Sequence, residues 1–187
     1  MSLVAAKFRN ACLGDALSLP YSRAMVDALH RQVENIREEA RWAPLNNVKY
    51  PYKIEDIPAL IKIADGPDKE VACKAMSELS HFGDNSGFDR SEELVAFLNR
   101  KIKDADPLLS LEAATVSCYS GDWSGFDVIL ERLEHSDPKV RYLAAQSLGA
   151  PRFTKYSEKI RPLLEKRLRV EKEPDVLRKV DETIRIY

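Results

Sequence analysis

The sequence predicts an all-α chain built by stacking helical pairs, and three observations carry that expectation. Of 187 residues only seven are glycine, while 32% are charged and 44% hydrophobic, a composition of surface-rich helices rather than of turn-rich strands. One short plan, in which a proline and an acidic residue open an amphipathic stretch, recurs four times. A seven-residue loop occurs twice, 38 residues apart, with six of seven positions identical.

The clearest copy of the plan is Ser136–Gly149. Ser136 or Asp137 is placed to cap the first free N–H groups. Pro138 suits the first helical position, where its missing N–H would have been unpaired. Val140, Leu143, Ala144 and Leu148 fall on one helical stripe. Gly149 is expected in the left-handed conformation that ends the helix, with Pro151 preventing its continuation. The other copies open at Gly66-Pro67-Asp68, Ala105-Asp106-Pro107 and Glu173-Pro174-Asp175. Their prolines, Pro67, Pro107, Pro138 and Pro174, stand 40, 31 and 36 residues apart, the period of stacked helix pairs.

The repeated loop, Gly83–Asp89 and Gly121–Asp127, joins the first helix of a pair to the second. Gly83 or Gly121 ends the first helix, and Asp84 or Asp122 makes the turn. Ser86 or Ser124 is placed to cap the second helix, and Phe88 or Phe126 to enter the core. Trp123 replaces Asn85 and is expected to be exposed at the rim. Second helices are expected over about 91–103, 125–134 and 156–169.

Upstream, residues 2–13 predict a short helix. A longer one over 23–41 carries a buried stripe of Met25, Val26, Leu29, Val33, Ile36 and Ala40. Residues 42–53 hold two prolines, two asparagines and three aromatics, which predicts a loop packed by its own side chains. A helix over 55–65 follows. The organisation read from these patterns is an N-terminal helical segment, 1–65, packing on repeats at about 66–103, 104–135 and 136–172, with a terminal half-repeat at 173–187.

Catalytic and metal chemistry find little footing. The three histidines, His30, His81 and His135, lack a second ligand at metal spacing. No P-loop, GxGxxG, GxSxG or HExxH motif is present. The repeated loop lacks the acidic spacing of a calcium loop. Cys12, Cys73 and Cys118 are odd in number and far apart, which points to free thiols in a reducing cytoplasm. The longest run without a charge, Tyr142 to Pro151, is too short to span a bilayer, and no secretory signal is visible. No catalytic residue, cofactor or metal is expected, and the chain is expected to be cytoplasmic.

The net charge of −1 conceals an asymmetry. Residues 1–53 carry a net +3, residues 54–135 a net −9 and residues 136–187 a net +5. An acidic middle flanked by basic ends suits a basic partner more than nucleic acid.

The stretch Asp137–Gly149 resembles the first helix of a HEAT-like repeat of the short bacterial type, through Pro138, Val140, Arg141, the pair Ala144-Ala145 and Leu148. The resemblance is strongest over 136–169 and extends across 66–135. Two departures stand out: the first copy has an extra residue before Val71, and the second has Ser110 at the position of Arg141. The resemblance implies a right-handed α-solenoid with an N-terminal helical cap, whose second helices line the concave face. The candidate partner-binding residues on that face are Glu93, Arg100, Asp127, Glu131, Glu134, Lys159 and Glu165, with Trp123 at its edge. A non-catalytic protein-binding module is the implied function, in concrete form a bacterial immunity protein that neutralises a basic, nuclease-type toxin. The alternatives are a general adaptor or assembly factor, a nucleic-acid-binding protein, and an enzyme of the HEAT-fold DNA glycosylase or bilin lyase kind.

Overall fold

The structure, a computed structural model, describes residues 23–48, 53–80 and 92–187, and every regular element among them is helical. The chain divides into two units, Met1–Ala43 and Pro44–Tyr187. The helix expected over 2–13 and the first copy of the repeated loop lie outside the described residues.

Helix α1 (Arg23–Asn46) runs past its expected end near residue 41. Pro44 lies in its last turn, where it leaves the Ala40 carbonyl without an intrahelical N–H donor and only two helical residues follow. The loop expected over 42–53 therefore begins later. The expected buried stripe also needs correction, because Leu29 is 44% and Ile36 55% exposed. Helical spacing of apolar residues creates a stripe whether or not another layer covers it.

In the second unit a short 3-10 turn (Ile54–Asp56) leads into α2 (Ile57–Ala64). The recurring plan then builds four first helices: α3 (Lys69–Leu79), α5 (Pro107–Tyr119), α7 (Pro138–Leu148) and α9 (Pro174–Ile184). Between them stand the second helices α4 (Glu92–Lys101), α6 (Phe126–Arg132) and α8 (Ser157–Val170).

The caps follow the sequence closely. Asp106 accepts from the N–H groups of Leu108 and Leu109, and Asp137 from that of Lys139 at 2.8 Å. In α3 the cap is Asp68, which accepts from Glu70 and Val71, so Pro67 precedes the cap instead of following it. The extra residue before Val71 is absorbed by this one-step shift. Two expectations fail locally. Ser124 caps nothing; Asp122 accepts its N–H at 3.0 Å and opens a 3-10 turn (Trp123–Gly125). Gly149 has φ −68°, whereas Gly121, at φ 81°, takes the left-handed conformation at the end of α5.

Successive first helices pack on one another, α3 on α5, α5 on α7 and α7 on α9, and second helices pack against them, α4 and α6 on α5 and α8 on α9. Small residues allow this approach: Ala72, Ala75, Ala113, Ala114, Ala144 and Ala145 are all fully buried. Helix α5 is buried on nearly every side, from Leu109 to Leu111 and Ala113 to Cys118. Its polar groups are satisfied internally, Ser110 donating to the Ile102 carbonyl at 2.7 Å and Thr115 to that of Leu111 at 2.9 Å. Burial pushes the Cys118 thiol up to about 12. Leu143 is only half-buried, while Val140, Ala144 and Leu148 reach full burial.

Where the second helix leaves its loop, Gly125 lies against the backbone of α5. A Cβ there would stand 2.6 Å from the Ala114 Cα and 2.8 Å from its carbonyl oxygen. Gly125→Ala is therefore expected to cost about 1–3 kcal/mol, as overpacking against backbone does. A thermal melt several degrees lower checks this; an unchanged midpoint would show that α6 shifts freely.

Helix α9 packs on α7 and α8. Val176, Val180 and Thr183 face α7, and Thr183 donates to the Ala145 carbonyl at 3.1 Å. The Tyr187 hydroxyl donates to the Leu148 carbonyl. The rest of α9 carries Asp175, Arg178, Asp181, Glu182 and Arg185, with Leu177 exposed among them.

Candidate partner-binding surface

Several charged residues of the second helices, Arg100, Asp127 and Glu134 among them, meet partners about one repeat away. Arg100 Nη2 lies 2.9 Å from Asp65 Oδ2, and its guanidinium rests over the Phe97 ring. Asp65, also paired with Lys101, is held below the ordinary carboxylate range mainly by that lysine. Asp127 on α6 lies 2.6 Å from Lys159 on α8. Glu134, just beyond α6, meets Lys166 at 2.9 Å and Arg167 at 3.4 Å, and Lys166 lowers its pKa. Glu165 pairs with Arg161 on its own helix at 2.9 Å. The acidic middle and the basic end thus answer one another within the chain. These exposed pairs are worth little singly, typically about 0–1 kcal/mol.

Glu93 and Glu131 differ. Both are exposed, and neither has an ionic partner among the described residues. Trp123 departs from expectation: it is half-buried in an aromatic cluster, 5.4 Å from Phe153 edge-on and 4.7 Å from Tyr156. The Lys155 ammonium lies 4.0 Å from its ring centre. One turn of chain after Gly121 directs the indole toward the 3-10 segment Pro151–Tyr156 instead of toward solvent.

Two features carry charge that helix-by-helix reading does not pick out. The first is a buried clasp. Arg141 on α7 binds Glu171 bidentately, Nε to Oε2 at 2.8 Å and Nη2 to Oε1 at 2.9 Å. Its remaining Nη1 donates to the His135 and Ser136 carbonyls, each at 2.8 Å. Glu171 also accepts from Arg167 Nε and from the N–H groups of Lys172 and Glu173. This fixes the loop before α7 to the loop before α9. Arg141 above all, helped by those N–H donors, brings the Glu171 carboxyl down to about 2. The signal in the sequence was an arginine near the start of one copy and a glutamate 30 residues on, just before the next copy.

The second is Glu112 on α5. It is half-buried and opens into a groove of about 250 Å³ between α3, α5 and α7. Burial raises its pKa from 4.5 to about 7. Lys74 lies near enough to oppose that rise weakly, but its ammonium is paired with Glu78.

Among the described residues no cluster of histidine, cysteine, aspartate and glutamate is arranged to hold a metal ion. No described helix is long and apolar enough to cross a membrane.

Comparison with known proteins agrees with this architecture. The profile of HEAT repeats matches residues 91–184, half of the chain. No curated protein and no solved structure matches it. With first and second helices alternating at the repeat period, and ion pairs linking neighbouring copies, the chain belongs to the HEAT-repeat family.

Proposed function

We propose that the chain is a non-catalytic protein-binding module whose partner, a basic protein domain, docks on the second-helix face. HEAT repeats mediate protein interaction. The reading takes the repeats as 66–103, 104–135, 136–172 and 173–187, wound into a right-handed solenoid with α4, α6 and α8 along the concave side. The observation that carries it is the uneven pairing of the candidate residues on that face, where Glu92, Glu158 and Arg169 are also exposed without an ionic partner among the described residues. Arg100, Asp127, Glu134, Lys159 and Glu165 are answered by neighbours, whereas Glu93 and Glu131 keep exposed charge with no ionic partner among the described residues. Those two carboxylates supply the field that steers a basic surface toward the helices beneath it. An immunity-type inhibitor of a nuclease toxin has this partner chemistry, and so does an adaptor that assembles basic subunits.

The test is charge reversal, Glu93→Lys with Glu131→Lys, against the basic protein recovered by affinity capture from the source cells. The association rate is expected to fall about tenfold or more at low salt, with dissociation little changed and the difference disappearing at high salt. Both sites are exposed, so the melting midpoint should not move. An association rate unaltered by the double reversal would sink the reading.

A further inference from the structure

We propose that the groove across the first helices is a second docking site, separate from the second-helix face, that takes an extended peptide segment with a basic side chain seated on Glu112. The groove has two chambers. One, of about 250 Å³, lies between α3, α5 and α7, with Glu112 among Cys73, Leu108 and Leu143. The other, of about 510 Å³, lies between α7 and α9, where Tyr142, Leu143 and Val176 provide an apolar lining. Lys139 and Leu143 belong to both, so the chambers flank one ridge of α7.

Charge complementarity identifies the occupant. Around the groove most other charges are balanced, Lys69 with Asp106 at 2.8 Å, Lys74 with Glu78, and Arg178 with Asp175 at 3.1 Å, while Lys139 is exposed at the rim with no ion pair among the described residues. Glu112 has no hydrogen-bond or ion-pair partner among the described residues, yet it is half-buried beside Cys73, Leu108 and Leu143, with Lys69, Glu70, Asp106 and Lys139 completing the lining. A half-buried carboxyl without a partner destabilises the fold when ionised. A guanidinium or ammonium entering the groove supplies the missing partner, with charge-assisted hydrogen bonds to both oxygens. The raised pKa of Glu112 is the same fact seen without the ligand.

Spacing sets the form of the segment. Neighbouring packed helices lie roughly 8–10 Å apart, and a segment in the extended polyproline II form advances about 3.1 Å per residue and returns to the same face at every third residue. A basic residue in the first chamber therefore places the residue three positions away in the second, where an aliphatic side chain meets Tyr142 and Val176.

The groups facing Glu112 fix the pH dependence. Helix α3 presents Lys69, Glu70, Cys73 and Lys74; α5 itself adds Asp106 and Tyr119; α7 adds Lys139. Burial pushes the Cys73 thiol up to about 11, and the Asp106 carboxylate raises the Lys69 ammonium, so Glu112 is the group whose shift brings it to ionise between pH 6 and 8. Affinity for a cation should rise about five- to tenfold over that interval.

The probes are two blocked hexapeptides, Ac-Ser-Arg-Ser-Ser-Leu-Ser-NH2 and its reverse-order counterpart, followed by methyl NMR of Leu108 and Leu143 in the full chain. Control peptides carry norleucine or glutamate in place of arginine. One arginine peptide is expected to shift both leucine methyls and to bind at least fivefold tighter than either control. Glu112→Gln should remove that preference and flatten the pH profile. Lys139→Glu, at an exposed position, should tighten binding about threefold. Equal binding by the norleucine peptide, or an arginine preference that survives Glu112→Gln, overturns the proposal. So does loss of peptide binding in the Glu93→Lys, Glu131→Lys protein, because that places the peptide on the other face. Failure here leaves the reading of the second-helix face to its own test.

Discussion

Glu171→Ala is expected to lower the unfolding free energy at pH 7 by about 3–5 kcal/mol, the range for removing one partner of a buried ion pair. Glu171 and Arg141 expose only 1% and 9% of their side chains. Without the carboxylate, the guanidinium keeps the His135 and Ser136 carbonyls but loses its counter-charge. Arg141→Met should cost less, about 2–3 kcal/mol, because Arg167 and two N–H groups still hold Glu171. The acid side provides a further check. The folded Glu171 carboxyl titrates near about 2 against an ordinary 4.5, so its contribution is complete above pH 4.5 and lost as pH falls toward 2. A shift of that size corresponds to about 3 kcal/mol. Urea unfolding at pH 7 and pH 3 should therefore show the two proteins converging in acid. A constant difference across that interval would mean the cost comes from lost packing, not lost charge.

Glu112→Gln acts in the opposite direction and at the other end of the pH scale. Folding raises this carboxyl from 4.5 to about 7, so the native state holds its proton more tightly than the unfolded chain does. Stability contributed by the protonated group is present below pH 4.5 and is lost as pH rises through 7. The amide cannot ionise. At pH 8 the variant should be more stable than the parent by about 1–3 kcal/mol, and at pH 4 the two should agree within about 0.5 kcal/mol. Melting curves at the two pH values read this directly, and a variant destabilised at pH 8 would reveal a partner for Glu112 that the fold conceals. A residue whose replacement stabilises the free chain while weakening a cationic ligand shows the ordinary opposition between stability and binding.

The repeat architecture was legible because stacking constrains particular positions. A proline near each first-helix start, an acidic cap beside it and a small residue where helices touch recur wherever the same contact recurs, as at Asp106-Pro107 with Ala113-Ala114 and at Asp137-Pro138 with Ala144-Ala145. Charges obey a different logic. Lys159 and Glu134 look like solvated faces when each helix is read alone, and their roles emerge only when Asp127 and Lys166, 32 residues away in each case, are brought alongside. Arg141 was visible as a repeat position, but its burial depends on Glu171, which lies in a loop outside the helical pattern. Trp123 illustrates the limit of loop reading. A large aromatic replacing Asn85 in the repeated loop suggested exposure, whereas the aromatic cluster around Phe153 draws it inward. Glu112 carried no local signal at all. It occupies a helical position in a stretch where most neighbours are apolar, and only the third dimension shows which groove it opens into.

A protein partner seated on the second helices would bury their backbone amides. Hydrogen exchange on the chain alone and on its captured complex tests this most directly. Slowed exchange is expected in α4 and α6, centred on the turns that bear Glu93 and Glu131, with the first helices unchanged beyond the groove. Protection confined to α3, α5, α7 and α9, or no protection in a complex that remains intact, would contradict it.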